Sequence, residues 1–523
     1  MPALPAQSVA ETLGAALAPA PGRQALVDGA VRLTRHDLRQ RVEAIAASFF
    51  KLGFRAGDRC VVHGANSWRW CAGALAAFRV GMTVAPLSGS ISSHERLEPI
   101  LQRIRPDLVL AGSTPRPLRL APTVEACSWD AWRILQPLII DMSGDPSAPG
   151  LTLDTAAVQD SDPFMPPNPE LDEDPTALIL LTSGTTGEAK AVAHSQRSVR
   201  SLLNVVRRAP QRELLTTPLS HLFGQWQLLT MVMGGGGLVL PQTTAAGNLE
   251  ALVVAESIDL LSGPPSIFTK LLASGSEANS WLRTLARIVI SADMAPPRAI
   301  AELLRAGLNL EDQYAMTECP AIARTEITGA DSSAKRAWDG TQIRVVDEGA
   351  QPVPPGVVGA VEVRGERLFQ GYLDRNGRPV PVAGGDGWFR TGDQGALDGA
   401  GHLVLHGRDH EMFICHGHNV FPAEVERQMM RSGWLTAAVL VARPSRLSGQ
   451  EGVAFVVPEN PTAFDLKAFR GYLRTWLDPW KLPVRFIVMD ALPVNENGKV
   501  DRNALPAQLR GQQGASRRPD SNA

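Results

Sequence analysis

The chain has 523 residues, of which 44% are hydrophobic and 20% charged, with a formal net charge of −2. That length exceeds a single hydrophobic core, so two or more domains are expected. The near-neutral balance leaves no electrostatic footprint for nucleic acid or an anionic membrane surface. Its five cysteines, Cys60, Cys71, Cys127, Cys319 and Cys415, are scattered without paired spacing. They argue against a disulfide framework or a zinc site and suit a reducing cytosol. Met1-Pro-Ala-Leu-Pro-Ala has no basic region followed by an apolar core, so no secretory signal is expected.

Residues 37–52 carry apolar positions at helical spacing, and Val61-Val-His63 reads as a short strand. Ala74 to Val80 reads as a helix and Met82 to Leu87 as a strand. Such alternation is the pattern of a mostly parallel sheet covered by helices. Residues 141–176, rich in Pro, Asp and Ser, form an expected exposed connection. Ala177-Leu-Ile-Leu-Leu181 is apolar enough for a buried strand, and Ala191-Val-Ala193 returns to apolar residues. Between them lies Thr182-Ser-Gly-Thr-Thr-Gly-Glu-Ala-Lys190.

This loop has the chemistry to wrap a phosphate chain: glycines admit backbone N–H groups, hydroxyls donate, and Lys190 adds charge. It is not the common P-loop, which needs Gly-Lys-Ser/Thr contiguous at a helix start. Alone it also fits a surface turn.

The apolar stretch from about Leu228 to Leu240 is too short for a bilayer and reads as a buried helix, a glycine turn and a strand. Short apolar runs follow at Leu214, Gly237–Leu240, Leu260-Leu261 and Ile288–Ile290. Ligands in such sheets sit at the C-terminal ends of the strands. Residues 340–406 shift to short alternating segments (342–346, 360–364, 402–405), a smaller β-rich subdomain. After Gly407-Arg408 the composition changes. Residues 422–430 open a helix, and 437–441 and 452–457 read as strands of a small α+β unit. The polar stretch 511–523 is expected to be disordered. There are no internal repeats.

Tyr314-Ala-Met-Thr-Glu318, Gly387-Trp-Phe-Arg-Thr-Gly-Asp393, Gly407-Arg408 and Asn497-Gly-Lys499 follow the hydroxyl-rich loop in that order. Order and wording resemble the adenylate-forming (ANL) superfamily, AMP-forming acyl-CoA and aryl-CoA synthetases in particular, from roughly Gln24 to Leu505. The resemblance implies an α/β fold with a large N-terminal domain (1–407) of parallel sheets and a β-rich subdomain. A mobile C-terminal domain (408–510) and a tail (511–523) follow.

It also implies an ATP-dependent, Mg²⁺-requiring activation of a carboxylic acid to an acyl-adenylate, then transfer to a thiol, with CoA as co-substrate. A separate carrier protein as acceptor is the enzymatic alternative. A non-catalytic nucleotide-binding relative is the alternative of another class. The carboxylate and the α-phosphorus it attacks are both in anionic groups, so a cation must offset the repulsion and a metal must hold the leaving pyrophosphate.

Residue by residue, the resemblance makes Lys499 the adenylation lysine, although a lysine in a turn is ordinarily a solvated charge. Glu318 becomes the Mg²⁺ ligand, and Thr317 the α-phosphate contact; a helix cap is the plain alternative. Thr182, Ser183, Gly184, Thr185, Thr186, Gly187 and Lys190 become the phosphate loop. Asp393 and Arg408 become ribose contacts, Asp312 the acceptor of the adenine amino group, and Tyr314 the residue packed on the base.

His221, in Pro218-Leu-Ser-His-Leu-Phe-Gly224, is implied to orient the acyl group. Phe223, Gly224, Gln225, Gly263 and Ser291 then face the acyl pocket. Three departures stand out. Gln313 and Ala315 replace glycines flanking the tyrosine and are expected to narrow or polarise that pocket. Ala292-Asp293 stands where Gly-Gly is usual, and Asp293 is either a helix cap or a partner for a polar substrate group. His410 occupies the hinge, where relatives mostly use Asp or Lys. A histidine there would make the domain switch pH-sensitive. A soluble, cytoplasmic enzyme with no nucleic-acid partner and no transmembrane segment is expected.

Overall fold

The computed structural model describes residues 8–91, 94–111, 138–141, 151–152, 174–182, 189–206, 211–243, 245–272, 280–291, 297–329, 333–493 and 500–505. Among them, two nine-stranded mixed sheets enclose a layer of helices. The first sheet runs, edge to edge, Arg336–Ala337, Cys319–Ile327, Asn309–Met316, Arg287–Ser291, Leu260–Gly263, Arg212–Leu214, Gly237–Leu240, Gln24–Asp28 and Val31–Thr34. Its middle is parallel and its rims antiparallel. The second runs Pro379–Val380, Gly371–Leu373, Lys190–Ser195, Thr176–Thr182, Thr83–Ser88, Arg59–Gly64, Leu108–Ala111, Leu138–Asp141 and Leu151–Thr152.

The helices between the sheets start where the sequence supplies caps. Ser8 and Glu11 form a capping box for Val9–Leu17, and Thr34 with Asp37 does the same for Arg35–Lys51. Trp68–Val80 begins at Ser67 and ends on left-handed Gly81, and it is buried on nearly every side. An amphipathic helix would not suit that position; a helix apolar all round does. Arg35, wholly buried, donates to the carbonyls of Pro19, Met231 and Val232 and so caps the end of the Leu222–Gly234 helix.

The outer face of the first sheet is apolar. Leu214, Leu261, Ile288, Ile290 and Leu310 pack there against Leu249, Val253, Phe268 and Leu303. The second sheet's outer face receives the helix His94–Ile104.

The segment 340–406 does not stay together as one β-rich unit. Thr341–Val346, Gly359–Gly365, Phe389–Leu397 and Leu403–Arg408 form a four-stranded antiparallel sheet. Gly371–Leu373 and Pro379–Val380 leave it and extend the second large sheet, Tyr372 pairing with Val192. Beyond Arg408, a five-stranded sheet with the helices Pro422–Arg431 and Leu466–Trp476 has apolar clusters of its own. No helix among the described residues is long and apolar enough to cross a membrane. The four described cysteines are free and buried.

Candidate active site

The predicted residues gather where the two large sheets and the four-stranded sheet meet. Thr317 and Glu318 form the two-residue tip of a hairpin between Asn309–Met316 and Cys319–Ile327, with Met316 paired to Cys319. They do not cap a helix, because the chain turns straight back into a strand. Lys190–Ser195 faces this tip. Side chains two apart share a face of a strand, so Lys190, Val192 and His194 point the same way.

His194 is fully buried and lies 2.7 Å through Nε2 from the Thr317 carbonyl. A carbonyl only accepts, so Nε2 bears the hydrogen. Ser198 Oγ meets Nδ1 at 2.9 Å. Burial pushes this imidazole down to about 4, so it is neutral near pH 7. Tyr372 donates to Glu318 Oε1 at 2.7 Å, and the Lys190 ammonium sits 4.9 Å from the centre of the Tyr372 ring. Burial first, and Glu318 second, raise the Tyr372 phenol above its ordinary value, which keeps it a donor. Phe369 N–H holds the Glu318 carbonyl at 2.9 Å.

Thr182 ends its strand opposite Lys190. Ser183, Gly184, Thr185, Thr186 and Gly187 lie outside the described residues, as do Ala292, Asp293 and Lys499. The base of the Lys499 loop is described: Asp501 N–H donates to the Pro493 carbonyl at 2.8 Å.

A second group joins three predicted nucleotide contacts. Asp393 and Arg408 are cross-strand partners, with Nε 2.7 Å from Oδ1, and the Tyr314 hydroxyl donates to Asp393 Oδ2. Burial lifts the Asp393 carboxyl, and Arg408 opposes that lift. Burial and the facing Asp393 raise the Tyr314 phenol well above its usual value. Asp312 is bound by the buried ammonium of Lys335.

Of the residues expected to face the acyl group, His221 stands at the N-cap of Leu222–Gly234 without a side-chain cap bond, half-buried like Phe223. Gly224 is required by close packing, since a Cβ there would lie 2.2 Å from the Pro218 carbonyl. At Gly263 a Cβ would lie 2.6 Å from Thr216 Oγ1. Gln225 is wholly buried and donates to the Leu219 carbonyl, holding its own turn. Ser291 Oγ donates to the Gln313 carbonyl at 3.3 Å. Ala315 is half-buried. Gln313 lines a small cleft with Glu213, Trp226, Thr230, Leu260, Ser262 and Val289.

At the expected hinge position, His410 is exposed in a single 3₁₀ turn, Asp409–Glu411. Its flanking carboxylates anchor to opposite sides. Asp409 is held by Gln394 and by Arg390 (3.3 Å), and Glu411 by Arg502 (3.3 Å), which also grips Glu426. In the Gly417-His418-Asn419 loop, the His418 ring stacks on Trp480 at 4.0 Å.

Sequence reasoning missed His194, Tyr372, Lys335 and Trp480. The alternation Lys190-x-Val192-x-His194 was the available signal for the first. Nothing local marked the others, whose roles rest on long-range pairing.

For magnesium, Glu318 offers a hard oxygen, and no cluster of three His, Cys, Asp or Glu exists among the described residues. One carboxylate together with phosphate oxygens is a common magnesium shell. With this geometry, the comparisons are unambiguous. The family model for AMP-binding enzymes matches residues 14–373, and that for the AMP-binding enzyme C-terminal domain matches residues 424–499. The chain belongs to the AMP-binding enzymes.

A methyl-dioxo-octahydroindenyl-propanoyl:CoA ligase of Rhodococcus jostii (strain RHA1) is 29% identical over 92% of this chain and 95% of its own. The indoleacetate–CoA ligase of Aromatoleum aromaticum (strain DSM 19018 / LMG 30748 / EbN1) is 29% identical over 92% and 94%. In fold, ATP-bound MatB from Rhodopseudomonas palustris superposes with a TM-score of 0.82 at 22% identity, over 96% of this chain and 99% of that one. This chain is an AMP-forming acid–thiol ligase: it activates a carboxylic acid with ATP and passes the acyl group on to CoA.

Proposed function

We propose that the acid is activated at the Thr317–Glu318 hairpin tip, by an acyl-CoA ligase whose substrate is an arylalkanoic or similar ring-bearing acid. One observation supports this site above the rest: Tyr372 and His194, from two other strands, both bond that two-residue tip, and Lys190 lies against the Tyr372 ring. Lys190 and the loop before it hold the triphosphate. Glu318, oriented by Tyr372, supplies the carboxylate for Mg²⁺, which offsets charge on the leaving pyrophosphate. Thr317, fixed through its carbonyl by His194, faces the α-phosphate. Asp393 and Arg408 hold the ribose.

Lys499 offsets the charge between the carboxylate and the α-phosphate as the carboxylate oxygen bonds to the α-phosphorus and the α–β bridge breaks. The 408–510 unit then turns about His410 and brings the His418 loop, held by Trp480, to the acyl-adenylate. There the CoA sulfur takes the acyl carbon and AMP leaves. The ring-bearing substrate class rests on the names of the two relatives. The free thiols of Cys60, Cys71, Cys319 and Cys415, and the supply of ATP and CoA, support a cytoplasmic site of action.

Half-reactions test the assignment. Lys499→Ala should lose pyrophosphate release from ATP yet still convert a supplied acyl-adenylate and CoA to thioester. Equal loss of both, in a folded protein, would remove Lys499 from the adenylation step.

A further inference from the structure

The outer face of the strand Asn309–Met316 carries a charge among apolar neighbours. Side chains two apart share a face, so Leu310, Asp312 and Tyr314 point the same way. Leu310 packs in the apolar cluster with Ile288 and Ile290, and Ile290 is the register partner of Asp312 on the next strand. Tyr314 sits in a second cluster with Ile322, Val361 and Phe389. Between these two patches stands a carboxylate, met by a lysine side chain, that of Lys335, only 8% exposed. Taking an ammonium out of water is costly, and an apolar pair would have served stability as well or better.

The chain fixes Lys335 through its backbone. Its N–H donates to the Leu403 carbonyl and its carbonyl accepts from the Leu403 N–H, both at 2.8 Å. This bridge ties it to the strand Leu403–Arg408, the strand that also brings Arg408 to Asp393. From there the ammonium reaches Asp312 Oδ2. Oδ1 receives no hydrogen bond from a described residue, and the Asp312 side chain is 27% exposed. Arg427, from the C-terminal unit, is a second cation close to Asp312, and it donates to the Leu405 carbonyl at 3.2 Å.

Asp312 stands one strand repeat, roughly 7 Å, from Tyr314. The Tyr314 hydroxyl bonds Asp393, proposed above to hold the ribose. A purine attached to a ribose at Asp393 spans such a gap. At position 6 adenine carries an amino donor, where guanine and hypoxanthine carry an acceptor. We propose that Lys335 is a positioning residue for base selection: by occupying Asp312 Oδ2 it turns Oδ1 toward the adenine amino group, so that the enzyme takes ATP and rejects 6-oxo purine nucleotides. A carboxylate accepts and never donates, so it matches the amino group and opposes a carbonyl oxygen. The assignment deepens the ligase reading and rests on the nucleotide site proposed there.

The test titrates full-length enzyme and Mg²⁺ with ATP, ITP or purine riboside triphosphate, which lacks any group at position 6. Dissociation constants are read by calorimetry, so no acid substrate is needed. Wild-type enzyme should bind ATP about tenfold or more tighter than either analogue. Lys335→Met releases the carboxylate to water or Arg427. Its ATP affinity should fall about tenfold, to that of purine riboside triphosphate, whose own affinity stays unchanged. Lys335→Arg, which keeps a charged donor for Oδ2, should restore most of the preference.

Asp312→Asn tests the lysine without altering it. An ammonium only donates, so the amide oxygen must face Lys335 and the NH₂ the base. That arrangement suits a 6-oxo group, and this variant should bind ITP at least as well as ATP. It carries the test should Lys335→Met fail to fold. Three results overturn the proposal: wild-type enzyme that binds the three nucleotides alike, Lys335→Met that weakens all three alike, or Asp312→Asn that still prefers ATP about tenfold. The second is what a merely structural ion pair would give. The ligase reading fails separately, through absence of acid-dependent pyrophosphate release, and no ATP binding at all overturns both.

Discussion

Tyr372 donates its phenolic hydrogen to Glu318 Oε1 across 2.7 Å while its ring lies under the Lys190 ammonium. One side chain thus contacts both the Glu318 carboxylate, proposed above to hold Mg²⁺, and Lys190, proposed to hold the triphosphate. Tyr372→Phe keeps the ring and removes the hydrogen bond. A bond to a charged acceptor is worth about 1.5–3 kcal/mol, so kcat/KM for ATP should fall roughly tenfold to a hundredfold with little change in Tm. Tyr372→Leu, which also removes the ring beneath Lys190, should fall further. Steady-state kinetics at varied Mg²⁺ checks both.

His194 predicts an acid limb in stability. Held neutral, with a pKa near 4 against 6.5 in the unfolded chain, it binds fewer protons folded than unfolded between those values. Stability therefore rises with pH there. Its contribution is present above the unfolded value and is lost as pH falls toward 4, roughly 3 kcal/mol in all. Thermal unfolding from pH 7 to pH 4 should show this loss in the wild type. His194→Gln, which still reaches the Thr317 carbonyl, should flatten it.

The C-terminal unit holds the buried Glu426 carboxylate in an ion pair. Glu426, 7% exposed, meets Arg502 through two bonds of 2.7 and 2.8 Å and accepts from Leu440 N–H. Burial raises its carboxyl, and Arg502 opposes that. Arg502→Met strands the carboxylate and should cost about 3 kcal/mol. The double change Arg502→Met with Glu426→Gln should recover most of it. Denaturant unfolding of the three variants measures the difference. The same change removes the Arg502 contact of Glu411, beside the proposed hinge, so thioester formation should alter more than adenylation.

Gly224→Ala would drive a methyl into the Pro218 carbonyl. Overpacking of this kind costs about 1–3 kcal/mol, and it displaces the helix start that carries His221. Tm and kcat should fall together, with the ATP KM little changed.

Much of the fold was legible because the central strands are short apolar runs separated by helices: 288–290 and 237–240 both announce buried strands. Gly371–Leu373 was not, since three residues carry no periodicity and their partner lies far back at Val192. The Thr317–Glu318 tip was ambiguous because threonine followed by glutamate also suits a helix start; the strand Cys319–Ile327 decides it. The order of motifs singled out Tyr314, Asp393 and Arg408, which long-range pairing brings into contact. It was silent on Lys335, whose partner Asp312 lies on another strand. The polar inner face of the first sheet, where Glu213 and Ser262 are buried, was hidden as well. Arg212–Leu214 and Leu260–Gly263 are too short for their alternation to be read, and Glu213 looks like any surface acid until Ser262 and Gln227 close over it.

The most direct measurement is pyrophosphate release with ATP and Mg²⁺ across ring-bearing and aliphatic acids, each with and without CoA. Release that requires the acid, and that with CoA yields one thioester and one AMP for each pyrophosphate, is the predicted result. ATP binding without acid-dependent release, or cleavage to ADP and phosphate, would contradict it.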